Sequence, residues 1–275
     1  MTVRVVRHSS PEREWELATA APHPALAGHF GAYHGYRETT VRPEERREVP
    51  HAAITLILNL GEPLVVSGRP YASFVAGLHG RPVYTEHPGR QYGIQVDLPP
   101  LTAYALLGQP LDELGNAVVG LDDLLGHPAT RLVARLAGIP DWAGRFALLD
   151  RVLAGRMDRG PRPAPEVGWA WRQLSRTGGR IGVAELTAGT GWSHRHLATR
   201  FRQQVGLSPK AYARVLRFQR AVALLPTRPL AQVADVCGYF DQAHLNRDFR
   251  DLAGCTPTTL LGEVNFFQDP AAVAA

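Results

Sequence analysis

One spacing recurs twice in the C-terminal part of this sequence, and it restricts the fold more than any other feature. Leu186, Gly191, Leu197, Phe201, Gly206 and Pro209 are separated by 5, 6, 4, 5 and 3 residues; Val233, Gly238, Leu245, Phe249, Gly254 and Pro257 are separated by 5, 7, 4, 5 and 3. Each copy encodes a short helix, a tight turn at a glycine, and a second helix whose Leu and Phe lie one turn apart and pack back on the first. A further glycine, Gly206 or Gly254, then stops the second helix, and Ser208-Pro209 or Thr256-Pro257 supplies an N-cap followed by proline at the first helical position. Between the copies, Tyr212, Val215, Leu216, Phe218, Val222 and Leu225 recur at helical spacing, which predicts one long connecting helix. The C-terminal domain therefore reads as all-α: a helix-turn-helix over about 183–205, a linker helix over about 208–225 and a second helix-turn-helix over about 230–253.

Two such motifs joined by a rigid helix can place their second helices in major-groove segments about one duplex turn, roughly 34 Å, apart. Charge agrees. Residues 1–165 hold 17 Lys+Arg against 17 Asp+Glu, whereas residues 166–275 hold 13 against 8, the whole net charge of +5. A basic domain joined to a neutral one fits a chain whose two parts have different partners. Ser193–Val205 carries Arg195, Arg200, Arg202 and two histidines with no acid, a composition that favours an anionic partner. In Asp241–Ala253 acids offset Arg247 and Arg250, so Gln242, His244 and Asn246 are left to read by hydrogen bonding.

These residues resemble the AraC/XylS transcriptional regulators over about Gly179–Gly262, most specifically in GLSPKAYARVLRFQRA (206–221) and CGYFDQAHLNRDFRDLAGCTP (237–257). The resemblance implies a sequence-specific DNA-binding regulator, more often an activator that contacts RNA polymerase than a repressor. It places base-reading residues just after each turn: His194, Arg195, Ala198 and Thr199, then Gln242, Ala243, His244, Asn246 and Arg247. Arg200, Arg202, Lys210 and Arg250 are the expected phosphate contacts. Three positions depart from the family pattern. Thr199 stands where arginine is common, Asp248 where a basic residue is common, and Thr187 where a small alanine usually lets the helices close; a Thr187 hydroxyl can bond back within its own helix.

The segment DRGPRPAPE (158–166), with three prolines, reads as a linker, making residues 1–157 a separate domain and 167–275 the DNA-binding one. Ala53–Leu60, Leu64–Ser67, Ser73–Leu78 and Tyr92–Leu98 read as strands; from Leu101 the spacing becomes helical. The fold class is thus α+β: a small β domain, cupin-like by the resemblance, followed by helices and then the all-α domain. The helix Pro140–Met157 carries Trp142, Phe146, Leu149 and Leu153 on one face, expected to cover its own sheet and to contribute to a homodimer. FGAYHGYRE (30–38) offers Tyr33, His34, Tyr36 and Arg37 as candidates for binding a small organic effector.

No catalytic residue, metal site or cofactor is expected. His29, His34, His51, His79 and His87 lie singly, and no nucleophile elbow, zinc-protease motif or phosphate loop is present. A DNA-repair alkyltransferase with an AraC-type region would need a cysteine before the linker, and both cysteines, Cys237 and Cys255, follow it. With no apolar secretory core at the N-terminus and no stretch long enough for a membrane helix, the expected compartment is the cytoplasm. The rival reading is an enzyme or cupin-like binding protein whose helical domain serves only as an interaction module.

Overall fold

The computed structural model describes residues 1–263. The strands are β1 (Arg4–Ser9), β2 (Arg13–Ala20), β3 (Tyr33–Thr40), β4 (Glu44–Glu48), β5 (Ile54–Asn59), β6 (Leu64–Val66), β7 (Arg69–Tyr71), β8 (Phe74–Ala76), β9 (Val83–His87), β10 (Arg90–Leu98) and β11 (Val118–Gly120). The helices of the first half are α1 (Pro100–Leu107), α2 (Leu121–Leu125), α3 (His127–Ala137) and α4 (Trp142–Met157). After them come α5 (Pro165–Thr177), α6 (Val183–Thr190), α7 (His194–Val205), α8 (Pro209–Leu224), α9 (Leu230–Cys237), α10 (Gln242–Ala253) and α11 (Pro257–Gly262). An N-terminal antiparallel β domain thus precedes a helical domain. None of the described helices is long and apolar enough to cross a membrane.

The strands form a seven-stranded sheet, β1-β2-β3-β10-β5-β8-β11, facing a four-stranded one, β4-β9-β6-β7. Alternation along β10 divides the large sheet into two faces. Ile94, Val96 and Leu98 are buried against the helices with Phe146, Leu149 and Leu153 of α4. Gln91, Gln95 and Asp97 point the other way, toward the small sheet. Trp142, Phe146, Leu149 and Leu153 all lie inside the chain's own core, so that face of α4 is not available to a second subunit.

Four strands precede the first one expected at Ala53, and for β1 and β4 composition explains why they escape a hydrophobic-period reading. Five of the six residues of β1 are exposed at the sheet edge, so alternation has nothing to signal. In β4, EERRE, the inward Arg46 is paired with Glu38 of β3 at 2.7 Å, an ion pair occupying a position where an apolar residue would ordinarily reveal the strand.

The apolar core continues from the β domain into the first helix-turn-helix, where Leu111, Leu114, Val205 and Leu207 belong to one cluster. The Leu111 amide donates to the Gln203 carbonyl at 2.7 Å, and the Ala164 amide donates to Gln204 Oε1 at 2.9 Å. Val49, just after β4, packs in the core of the second helix-turn-helix with Phe218 and Phe249. The β domain therefore touches both motifs from behind.

Candidate nucleic-acid interface and ligand cavity

Each helix-turn-helix is built by local chemistry repeated in both copies. The turn glycines Gly191 and Gly238 have φ of 69° and 76°, a left-handed conformation strained for any other residue type. Two or three residues later a side-chain oxygen caps the second helix: Ser193 accepts from the His196 amide and Asp241 from the His244 amide. The aromatic after each glycine then packs edge-on against the third residue of the helix, Trp192 on His196 at 4.5 Å and Tyr239 on His244 at 5.2 Å. Leu197 and Phe201 in one copy, and Leu245 and Phe249 in the other, are fully buried. The inner faces of α7 and α10 are thereby held, and their outer faces are turned to solvent.

His194, Arg195 and Thr199 are exposed on α7 and Ala198 is half-buried beside them; Gln242, Ala243 and Arg247 are exposed on α10, with His244 and Asn246 half-buried. His244 has one ring nitrogen occupied, because Nδ1 accepts from the Phe240 amide at 3.4 Å. Arg200, Arg202, Lys210 and Arg250 are all exposed, Arg200 bonded to Gln203 of its own helix. Phe240 is a residue sequence reasoning passed over: it stands directly before the N-cap of α10 with 92% of its surface exposed. An exposed aromatic carries no periodic signal, so only its surroundings reveal it.

Between the two sheets lies a cavity of about 360 Å³. His34 and Tyr36 line it; Tyr33 does not, because β3 alternation turns it to the opposite face, where its hydroxyl donates to Asp150 at 2.9 Å. Arg37 does not line it either, its guanidinium lying over the Tyr92 ring. The walls also include Gln91, Gln95 and Asp97 of β10 and Gln219 and Val222 of α8. That last pair means the helical domain supplies part of the cavity. Burial holds the His34 and His79 imidazoles below their ordinary values, so both are neutral at pH 7. Among the described residues no group of three or more side chains has the makings of a metal site.

The family profile described as "Helix-turn-helix domain" matches residues 186–262, which contain both recognition helices. This region is an AraC-type helix-turn-helix domain. The AraC-type family is one of DNA-binding, non-enzymatic regulators. Residues 18–120 match a second profile, described as "Domain of unknown function (DUF6597)". The curated "Probable transcriptional regulator LumQ" of Photobacterium leiognathi is 35% identical over 81 residues, 29% of this chain and 33% of that protein. The match thus spans about a third of the relative's length.

Two solved structures are similar to parts of this chain. A probable AraC family transcriptional regulator from Rhodopseudomonas palustris is 31% identical, with 36% of this chain and 96% of that one covered and a TM-score of 0.33. ToxT of Vibrio cholerae is 9% identical, with 85% and 98% covered and a TM-score of 0.48.

Two family departures in the AraC-type domain have a local reason. Thr187 bonds back to the Ala184 carbonyl at 2.8 Å, satisfying its hydroxyl inside α6. Asp248 is only 5% exposed and accepts from Arg214 Nε of α8 at 2.8 Å. It joins α10 to the linker helix and faces away from the exposed side of α10.

Proposed function

We propose that this chain is a sequence-specific DNA-binding transcriptional regulator whose β domain takes a small-molecule effector in the inter-sheet cavity. The observation that carries the first part is the duplicated recognition helix, capped and anchored alike in both copies, with Arg195 and Arg247 exposed just after each turn. In this reading each of these arginines reads a guanine edge, and Arg200, Arg202, Lys210 and Arg250 hold phosphates. Gln242, Ala243, Asn246 and the free edge of His244 read in the second half-site, as His194, Ala198 and Thr199 do in the first. Phe240 adds an apolar contact to a thymine methyl group.

The effector part rests on Gln219 and Val222 standing in the cavity wall. A ligand there touches the linker helix between the two motifs and shifts their relative placement, favouring one arrangement of half-sites over another. ToxT structures are described with a bound unsaturated fatty acid and with a bound naphthalenyl butenoic acid. Activation through RNA polymerase and action as a homodimer in the cytoplasm complete the reading, on the strength of the resemblance.

The test is selection of bound duplexes from a random-sequence pool by the full chain at near-physiological salt, repeated with Arg195→Ala and Arg247→Ala. Two boxes about one helical turn apart, each relaxed by one variant, are expected. Sequence-blind binding, or no salt-dependent duplex binding at all, overturns the reading in favour of an interaction module.

A further inference from the structure

The space between two packed sheets is ordinarily the driest part of a β structure, and here part of its wall is polar. Gln91, Gln95 and Asp97 of β10 face it, with His34 beside Gln95 in the register and Thr55 beside Asp97. Buried polar groups cost free energy unless they are hydrogen-bonded. The apolar packing that stabilises this domain lies on the other face of the sheet. Ile57, Val66 and Phe74 close the remaining wall as a small apolar cluster. The cavity therefore has a polar region and an apolar region.

Its charge is one-sided. Asp97 accepts from the Thr55 hydroxyl at 3.2 Å and from Gln95 Nε2 at 3.1 Å, both neutral donors. Because Thr55 donates to Asp97, its oxygen is left to accept from His51 Nε2 at 3.0 Å. Among the described residues no arginine or lysine pairs with Asp97, and His34 beside it is neutral at pH 7. Among the described residues Arg46 is the one arginine or lysine in the lining, and two carboxylates hold its guanidinium: Glu38 at 2.7 Å and Glu44 at 2.9 Å. Among the described residues an anionic ligand finds no uncommitted cation in the lining, whereas a cationic one finds Asp97, held by neutral donors.

Resting on the reading of this cavity as the effector site, we infer that its ligand is a small organic cation, a primary amine on a compact apolar body. The ammonium group sits at Asp97 and donates to it, and the body lies against Ile57, Val66 and Phe74. Asp97 pairs in the sheet with Thr55 at the start of β5, whose preceding loop carries Ala52 and meets Gln219. The charged end of the ligand is thus the end nearer the linker helix.

Three near-isosteric probes separate the possibilities on the full chain by calorimetry: phenethylamine, 2-phenylethanol and phenylacetate at up to about 10 mM, the range in which small fragments bind. Phenethylamine is expected to bind best, and Asp97→Asn to weaken it by about tenfold or more while leaving 2-phenylethanol unchanged, which also shows that the variant is folded. If phenylacetate binds best, or Asp97→Asn affects amine and alcohol equally, the cation assignment is wrong and the cavity reading stands. If none of the three binds, the cavity reading and the cation assignment are both overturned, and the duplex-selection result is untouched.

Discussion

Gln219 of the linker helix accepts a hydrogen bond from the backbone amide of Ala52 at 2.9 Å, and Tyr212, two turns earlier, donates its hydroxyl to the carbonyl of the same Ala52 at 3.3 Å. Both polar groups of one peptide residue are held by one helix. The loop that carries Ala52 also contributes Val49 to the second motif's core and His51 to the cavity wall. A change in the cavity and a change in the helix between the two motifs therefore meet at one residue.

Loosening this seam is expected to show in domain docking more than in global stability. Each bond contributes about 0.5–1.5 kcal/mol net. The double variant Gln219→Ala, Tyr212→Phe is expected to unfold within a few degrees of the parent. Its tryptic cleavage after Arg159, in the segment between α4 and α5, rises several-fold, read by mass spectrometry. Unchanged cleavage would mean other contacts hold the domains together.

For the DNA-facing residues, Arg195→Ala and Arg247→Ala are expected to relax base preference in one half-site each, by roughly tenfold to a hundredfold in discrimination. Phe240→Ala is expected to erase any difference between thymine and uracil at one position of the second box. Titration of paired duplexes differing only in that methyl group measures it; a thymine preference retained by the variant removes Phe240 from the interface.

Arg214→Ala leaves Asp248 buried without its cation and is expected to destabilise the chain by about 2 kcal/mol, allowing for the partial exposure of Arg214. Adding Asp248→Leu is expected to recover most of that loss, since an apolar residue tolerates the site that an unpaired carboxylate does not. Denaturant midpoints of the two variants and the parent decide it, and no recovery in the double variant would assign the loss to Arg214 packing instead.

Stability is expected to fall as pH drops from about 6.5 toward 4. Burial holds His87 down to about 4, reinforced by the Arg46 and Arg13 guanidiniums and opposed by Glu44, and burial lowers His34 and His79 as well. The unfolded chain takes up protons near pH 6.5 that these rings refuse in the folded state, so the contribution is complete above that value and lost below it. His87→Gln keeps an acceptor for the Gly89 amide, which His87 Nδ1 now accepts, and is expected to flatten the thermal midpoint against pH over this window. A slope equal to the parent's would place the titration elsewhere.

The helical domain was legible because its code is local. Turn glycines, Ser193 and Asp241 as caps and Leu-Phe pairs one turn apart each act within a few residues, so Gly191–Phe201 and Gly238–Phe249 declare themselves without knowledge of the rest of the chain. The cavity has no such code. Its walls come from β3, β5 and β10, whose register joins residues 34, 57 and 95, and from α8 more than a hundred residues further on. Of the aromatic and charged run at 30–38, alternation sends His34 and Tyr36 inward and leaves Tyr33 and Arg37 outside, a division that depends on which face of β3 meets the second sheet. The charged strands β1 and β4 hide for the same reason: an edge exposed to water and an ion pair turned inward both erase the hydrophobic period. Sequence by itself determined the two helix-turn-helix units and their connecting helix, since short-range sterics and capping suffice for them. Only the tertiary structure decided where the polar face of the sheet points and that the linker helix closes it, because both depend on strand pairing and domain docking between residues far apart in the chain.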